Sequence, residues 1–458
     1  MLIARKVKYF FILYFALTLV LQSPCFAFWW WNKGKQPIIK PIEKIQYVNI
    51  NWWGNFSDSY LKNYIITAVK NNHDARKASW QVEEYRQNVK YQFSQELPSL
   101  SVGGNYIGIH YPQDIRGINN NIFAIPFLAS YEADIFLKNR DKTKSSKKAY
   151  ESTKFQEKSI YISLASDVAT TYINLIKFDK QIKLQEELVQ VKKEELKREQ
   201  SKFDRGVTSV PKLNDAKKSY NSEKSELDEL IKTRDQTLNQ LAVLIGESPE
   251  NTAELKRGSW ENFEYTSSIP KEISSDVVFS RPDIMSAEAE LKKAQIDIRV
   301  ARKEFLPRLN IVGLYSFTNL GGTFGNWDTT LAAIFAGLTQ DLFTGGRKIA
   351  NLKINKAKYE QMFEAYRQAD LNALKEVNDS LLVIKEDTKI DKNTTKNLFI
   401  QEDNYKRAQN QYKNGVISYP ELLEEQEKLI TSQQNKINSK TNCWINYITL
   451  YKSVGGQL

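Results

Sequence analysis

Three short stretches of this sequence recur, in the same order, about 209 residues further on. A duplication of that length restricts the fold more than any single motif does. Leu97-Pro98-Ser99-Leu100 with Gly104 and Tyr106 matches Leu306-Pro307-Arg308-Leu309 with Gly313 and Tyr315 at an offset of 209. At the same offset Phe203, Gly206, Val207, Ser209, Pro211 and Leu213 match Tyr412, Gly415, Val416, Ser418, Pro420 and Leu422. Asp134-Ile135-Phe136 matches Asp341-Leu342-Phe343 at 207. Agreement at three ordered places is not chance. The chain reads as two copies of one unit, 57–246 and 281–458, joined through 247–280 and preceded by a segment 28–56.

Within each copy Gly and Pro vanish over long windows, 127–205 and 212–245, then 347–414 and 421–454. These windows are rich in the helix formers Lys, Glu, Gln, Leu and Ala. Apolar residues return every seven positions in Tyr161, Val168, Leu175 and Ile182, and in Leu352, Tyr359, Tyr366 and Ala373, the spacing of a coiled-coil seam. The pattern predicts long helices over 139–205 and 347–414 with return helices over 211–245 and 420–453. The first long helix would extend on the order of 100 Å at ~1.5 Å per residue, a length no ordinary globular core needs.

Earlier in each copy a shorter helix, 57–96 or 282–305, stops at Pro98 or Pro307 and a period of two takes over. Leu309, Ile311, Tyr315 and Phe317 alternate with Asn310, Ser316 and Thr318; Leu100, Val102 and Tyr106 alternate with Ser101, Gly103 and Asn105. Second strands follow over 121–136 and 328–343, where Phe123, Ile125, Phe127, Ala129 and Tyr131 give the first an apolar face. Turn-rich loops with Pro112, Gly117, Asn119, Asn120, Gly321, Gly322 and Gly325 separate the strands. The hairpins span 98–137 and 307–343, and their strands exceed the ~9–11 residues needed to cross a bilayer.

At the N-terminus Arg5, Lys6 and Lys8 precede an uncharged apolar run from Tyr9 to Leu21. That is a secretory signal peptide over 1–27, too short for a transmembrane helix. Cleavage after Ala27 uses the small residues Cys25 and Ala27; the alternative makes Cys25 a lipidated first residue, although Gln22 and Pro24 suit that poorly. Trp29, Trp30 and Trp31 then either anchor at a membrane interface or pack on the helices. Once Cys25 is gone only Cys443 remains, so no intramolecular disulfide forms. Beside Trp444, Ile445 and Tyr447, Cys443 is expected in a core.

Loss of the leader's three basic residues lowers the formal charge from +11 to +8. That charge is spread over helices that also carry many Glu and Asp, with no basic block for nucleic acid. Only His73 and His110 are present, so His-based triads and His/Cys metal sites lack parts, and Gly345-Gly346-Arg347 lacks the spacing of a phosphate loop. Neither catalysis nor a cofactor is expected. No stretch of 18 apolar residues follows residue 27, so any membrane passage is by strands.

Four strands cannot close a barrel, and open edges in lipid leave backbone groups unsatisfied. Several chains must share one barrel; two, three or four would close, and three supply twelve strands. The sequence resembles the TolC-type outer-membrane factors of tripartite efflux pumps, in particular the NodT-like branch. The resemblance is carried by Trp52-Trp53 with Phe56, Asp58 and Leu61; Asn71-Asn72 with Asp74; Arg281-Pro282-Asp283-Ile284 with Ala287-Glu288; Phe305-Leu306-Pro307; Asp341-Leu342-Phe343 with Gly345-Gly346-Arg347; Gly415 with Ser418-Tyr419; and Leu450-Tyr451 with Gly455-Gly456. It implies a mixed α and β membrane protein, a homotrimer. Its twelve-stranded transmembrane β-barrel, four strands per chain, sits in outer-membrane lipid and continues into a periplasmic α-helical barrel. It implies docking by a periplasmic adaptor and an inner-membrane RND-type transporter.

The turns Arg205-Gly206-Val207-Thr208-Ser209-Val210-Pro211 and Asn414-Gly415-Val416-Ile417-Ser418-Tyr419-Pro420 join each long helix to its return partner. Gly suits a left-handed C-terminal cap and Pro the first turn of the next helix, which explains both residue types structurally. The resemblance adds that Arg205, Gly206, Val207, Thr208 and Ser209 with Asn414, Gly415, Val416, Ser418 and Tyr419 meet the adaptor's hairpins. It also implies a closed resting tip. Many relatives carry an acidic residue where Ile417 stands, so an apolar constriction is the alternative to an acidic ring there. Glu421, Glu424 and Glu425 follow; an inward-facing one would form a cation-favouring ring, and otherwise they are a solvated helix start helped by the dipole. Arg281-Pro282-Asp283 reads as a structural helix start. Within the duct class, type I protein secretion competes with small-molecule efflux. From another class, a secreted structural coiled coil or adhesin explains the heptads but not paired hairpins at matching points.

Overall fold

The computed structural model describes residues 44–108, 121–270, 272–319, 327 and 329–458. The leader with Cys25, Trp29, Trp30 and Trp31, and nearly all of both hairpin loops lie outside the described residues. The described chain is mostly helical with one antiparallel sheet, and it divides into two compact units.

One unit contains Asn88–Ser146 and Gln295–Lys356 and holds the sheet: β1 (Ser99–Val102), β2 (Asn105–Gly108), β3 (Asn121–Ala133), β4 (Arg308–Asn319) and β5 (Thr329–Thr339). The strands are ordered β1-β3-β4-β5, with β2 also on β3, all antiparallel. The register runs from Phe123 opposite Asn319 to Ala133 opposite Leu309, and from Arg308 opposite Thr339 to Thr318 opposite Thr329. It sets Val102, Phe127, Tyr315 and Ala332 in one row, and Leu100, Ala129, Gly313 and Ile334 in the next row of that face. Leu100 and Ile334 are 76% and 82% exposed, as a sheet facing lipid would leave them.

Five strand segments stand where the sequence predicts four, because the first strand is interrupted at Gly103-Gly104. The Gly103 amide donates to the Pro126 carbonyl at 2.9 Å, but proline has no N–H to return, and pairing resumes only at Asn105 opposite Ala124. β3 also ends at Ala133, three residues before the expected 136. The Asp134 carboxylate accepts from the Lys138 and Arg140 amides at 2.6 and 2.9 Å and thereby starts the next helix instead.

The second unit contains Glu43–Gln87, Lys147–Ala294 and Ala357–Leu458. Among the described residues of the chain, the helices are α1 (Ile50–Trp53), α2 (Ser59–Asn71), α3 (His73–Ser94), α4 (Lys138–Asp204), α5 (Val210–Ile245), α6 (Ser275–Phe279), α7 (Pro282–Lys303), α8 (Arg347–Lys413) and α9 (Tyr419–Ser453). The helix expected over 57–96 is two, α2 and α3. Asn72 leaves helical geometry (ψ 129°) and its side chain accepts from the Ala75 amide at 3.0 Å, capping α3.

The core of this unit is aromatic. Trp52 stacks on Tyr451 at 4.3 Å between centroids, and Trp53, Phe56, Phe263 and Trp444 close around them. Phe263 and Leu255 come from the stretch 247–280, which is thus part of the core rather than a mere linker. The α4 seam of Tyr161, Val168, Leu175 and Ile182 is buried. Cys443 is buried as well, and burial, followed by Asp391 and Asp387, pushes its thiol up to about 11. At the start of α7, Arg281 is buried and its guanidinium bonds Asp283 and Glu376, each at 2.7 Å, and the Ser453 carbonyl.

Candidate functional site

No helix among the described residues is long and apolar enough to cross a membrane. Of the three recurring stretches, the one at 203–213 and 412–422 falls at the two interhelical turns, both in the second unit. After α4 the Gly206 amide donates to the Phe203 carbonyl (2.8 Å) and the Val207 amide to Lys202 (2.9 Å). After α8 the Gly415 amide donates to Tyr412 (3.0 Å) and the Val416 amide to Gln411 (2.8 Å). These are two copies of one Schellman cap. Both glycines have φ of 72°, a left-handed value that a β-carbon opposes. Nothing lies within 4 Å of where such a carbon would sit, so conformation alone calls for glycine.

Arg205, Val207 and Ser209, with Asn414, Val416 and Ser418, are exposed, and Thr208, Ile417 and Tyr419 are half-buried. A Schellman cap often packs the residue after its glycine onto the helix. Here Val207 and Val416 stay 73% and 69% exposed, one apolar side chain offered to solvent at the extreme of each turn. The Arg205 guanidinium folds back onto the Ser201 carbonyl at 2.9 Å.

The helix starts differ. Ser418 and Glu421 form a capping box: the Ser418 hydroxyl accepts from the Glu421 amide, and the Glu421 carboxylate accepts from the Ser418 amide at 2.6 Å. That backbone donor holds the Glu421 carboxyl below its usual range. Ser209 makes no side-chain cap bond. Glu424 and Glu425 both pair with Lys428, at 2.8 and 2.9 Å, and the bond to Lys428 keeps Glu425 low. The three carboxylates therefore each have a local partner, in α9 or at its N-cap.

A second set of contacts ties α4 to α9. Leu184, Leu188 and Val191 pack with Leu423, Ile430 and Ile437, Lys192 bonds Glu427 and Glu195, and the Arg198 guanidinium lies 3.6 Å from the Tyr419 ring centroid. Tyr419 also meets Tyr412 at 5.4 Å. None of these polar contacts is anticipated from the sequence. A signal was nonetheless present: Arg198 stands seven residues after Val191 and fourteen after Leu184, a basic residue in the seam itself.

Comparison with known proteins assigns this arrangement. The sequence pattern of the family described as Outer membrane efflux protein matches residues 65–247 and again 274–456. The chain is 25% identical over 415 residues to the cation efflux system protein CusC of Escherichia coli strain K12, covering 90% of this chain and 89% of that protein. It is 26% identical over 420 residues to the probable outer membrane lipoprotein SilC of Salmonella typhimurium, covering 90% and 88%. Its fold matches the crystal structure of the Campylobacter jejuni CmeC outer membrane channel with a TM-score of 0.79 at 23% identity, over 89% of this chain and 88% of that one. With most of its length matched in two segments, a strand sheet with an exposed apolar face and long helices ending in twin glycine turns, this chain belongs to the outer membrane efflux protein family.

Proposed function

We propose that three copies of this chain close a twelve-stranded barrel in the outer membrane and form the exit duct of a tripartite efflux pump. The duct passes small molecules from periplasm to exterior when a periplasmic adaptor and an inner-membrane RND-type transporter dock on it. The observation that carries the reading is the sheet. Its outer strands, β1 with β2 on one side and β5 on the other, have no further partner among the described residues, and its apolar face is exposed. In lipid such edges must pair with another chain. With β1 and β2 counted as one interrupted strand, each chain supplies four. Exposed apolar residues along α8, among them Ile354, Leu371, Leu382, Ile390 and Phe399, support a helical wall completed by neighbouring copies.

A duplicated chain, with units 57–246 and 281–458, is supported by the identical glycine caps and by two family matches of equal spacing. The turns at Arg205–Ser209 and Asn414–Tyr419 are the surfaces offered to the adaptor. Ile417 with Glu421 and Glu424 is the candidate constriction, the Glu421 charge being fixed by its cap. Cys25 as a lipid anchor gains support from the name of SilC; mass spectrometry of the mature N-terminus distinguishes it from cleavage after Ala27. The oligomer is tested by crosslinking Leu100→Cys to Ile334→Cys in a Cys443→Ser background. Oxidation should give a ladder that ends at three chains, and one ending at two or four overturns the trimer.

A further inference from the structure

In the unit that holds the sheet, a cavity of about 560 Å³ opens where strands give way to helices, within the roughly 300–1,000 Å³ of ligand-sized clefts. Six basic residues line it: Lys138, Lys142, Lys303, Arg308, Arg347 and Lys348. Three carboxylates pair with four of them, and a fourth, Glu304, bonds an asparagine instead. Glu132 pairs with Lys138 and Asp141 with Lys303; Asp341 takes both Arg308 (3.4 Å) and Lys348 (3.1 Å); Glu304 accepts from the Asn351 amide. Lys142 and Arg347 are left with no ion pair among the described residues. The chain's own carboxylates thus leave two cations at this rim unmatched.

The surroundings are apolar. Leu306 and Ile354 line the cavity. Directly after Asp341 in the chain come Leu342 and Phe343, 95% and 88% exposed, and just before it Leu338, 67% exposed. A surplus of cations bordered by large exposed apolar side chains matches a ligand that is anionic at one end and hydrocarbon at the other. A free phosphate would leave the apolar rim uncovered, and an acidic peptide would not explain its place at the strand ends.

We propose that this cavity holds the phosphate of an anionic phospholipid from the membrane leaflet at which the strands end, with its acyl chains against Leu338, Leu342 and Phe343. The proposal rests on the reading that the sheet spans the membrane, and its test separates the two. The purified full chain is incubated with equal dioleoyl-phosphatidylglycerol and dioleoyl-phosphatidylcholine, and the retained lipid is counted by native mass spectrometry. Phosphatidylglycerol should be preferred. The Lys142→Gln/Arg347→Gln variant should lose roughly 30-fold in that preference, about a factor of five for each basic residue beside an anionic surface. The charge-preserving Lys142→Arg/Arg347→Lys variant should keep the preference. Equal retention of both lipids by the wild type, an unchanged preference in the Gln variant, or displacement of phosphatidylglycerol by millimolar inorganic phosphate overturns the proposal. Insertion of the wild type into liposomes is read separately: failure there sinks the membrane reading, whereas insertion without lipid preference sinks only this one.

Discussion

The turn after α4 and the turn after α8 have the same backbone and different anchorage. Both end in a glycine at φ 72° with the same pair of amide bonds. Only the second continues into a capping box, and only the second places an aromatic ring, Tyr419, under a guanidinium from another helix. The geometry, which depends on one glycine, is common to both turns, while the side chains that fasten them differ. The second turn is tied to α4 by an aromatic ring under a guanidinium; the first has only polar side-chain bonds, Thr208 to Glu199 and Arg205 to the Ser201 carbonyl, beside its cap.

The largest effect is expected where the turns are alike. Gly206→Leu or Gly415→Leu forces a side chain into left-handed geometry at a cost of roughly 1–2 kcal/mol. Either should abolish efflux-dependent drug resistance while SDS-resistant oligomers persist; unchanged resistance in both would remove the turns from docking. The next substitutions separate them. Ser418→Ala should weaken local protection by about 1 kcal/mol, read by hydrogen exchange over 419–424, whereas Ser209→Ala should leave 210–215 unchanged. Equal losses would mean that the anchorage does not differ. Arg198→Ala should cost about 0.5–1 kcal/mol at the second turn, and a double-mutant cycle with Tyr419→Leu should recover that coupling.

Alkaline pH sharpens the contrast by a smaller margin. Burial disfavours the Lys192 ammonium, but Glu427 and Glu195 outweigh it and raise its pKa above the usual 10.5. Its contribution is therefore complete below that value and disappears as pH rises through the higher folded value. With the base-catalysed intrinsic rate divided out, protection around Lys192 and Glu427 should fall only in that range, and Lys192→Met should remove the step. Smallest in stability is Glu421→Gln, because glutamine can keep the capping box. Its expected effect is a reduced cation preference of single channels, and unchanged selectivity would retire Glu421 from the constriction.

What could be read in advance follows from how far each signal reaches along the chain. Heptads at Tyr161, Val168, Leu175 and Ile182 announce a buried seam because periodicity averages over many turns. Gly206 and Gly415 announce left-handed caps because few residues tolerate them. The errors arose where one side chain outcompetes the local pattern: Asn72 and Asp134 divert backbone amides to themselves, and Pro126 withholds a donor from a strand whose alternation otherwise continues. Arg198 over Tyr419 escaped because its partner is remote in sequence and a lone arginine on a helix reads as solvated. The aromatic content of 247–280 likewise had no period to reveal it.

The pairing of β3 with β4 has a consequence for how the molecule comes into being. Every hydrogen-bonded rung between them joins a residue of the first hairpin to one of the second, with both α4 and α5 lying between them in the chain. Such distant pairings form slowly, since the intervening loop must close before any rung forms. During export the first hairpin therefore waits, with its strand edges bare and its apolar face wet, until about two thirds of the polypeptide has emerged. A chain halted before Arg308 would carry that hairpin with nothing to zip against, making it a substrate for holding chaperones and proteases rather than half a barrel.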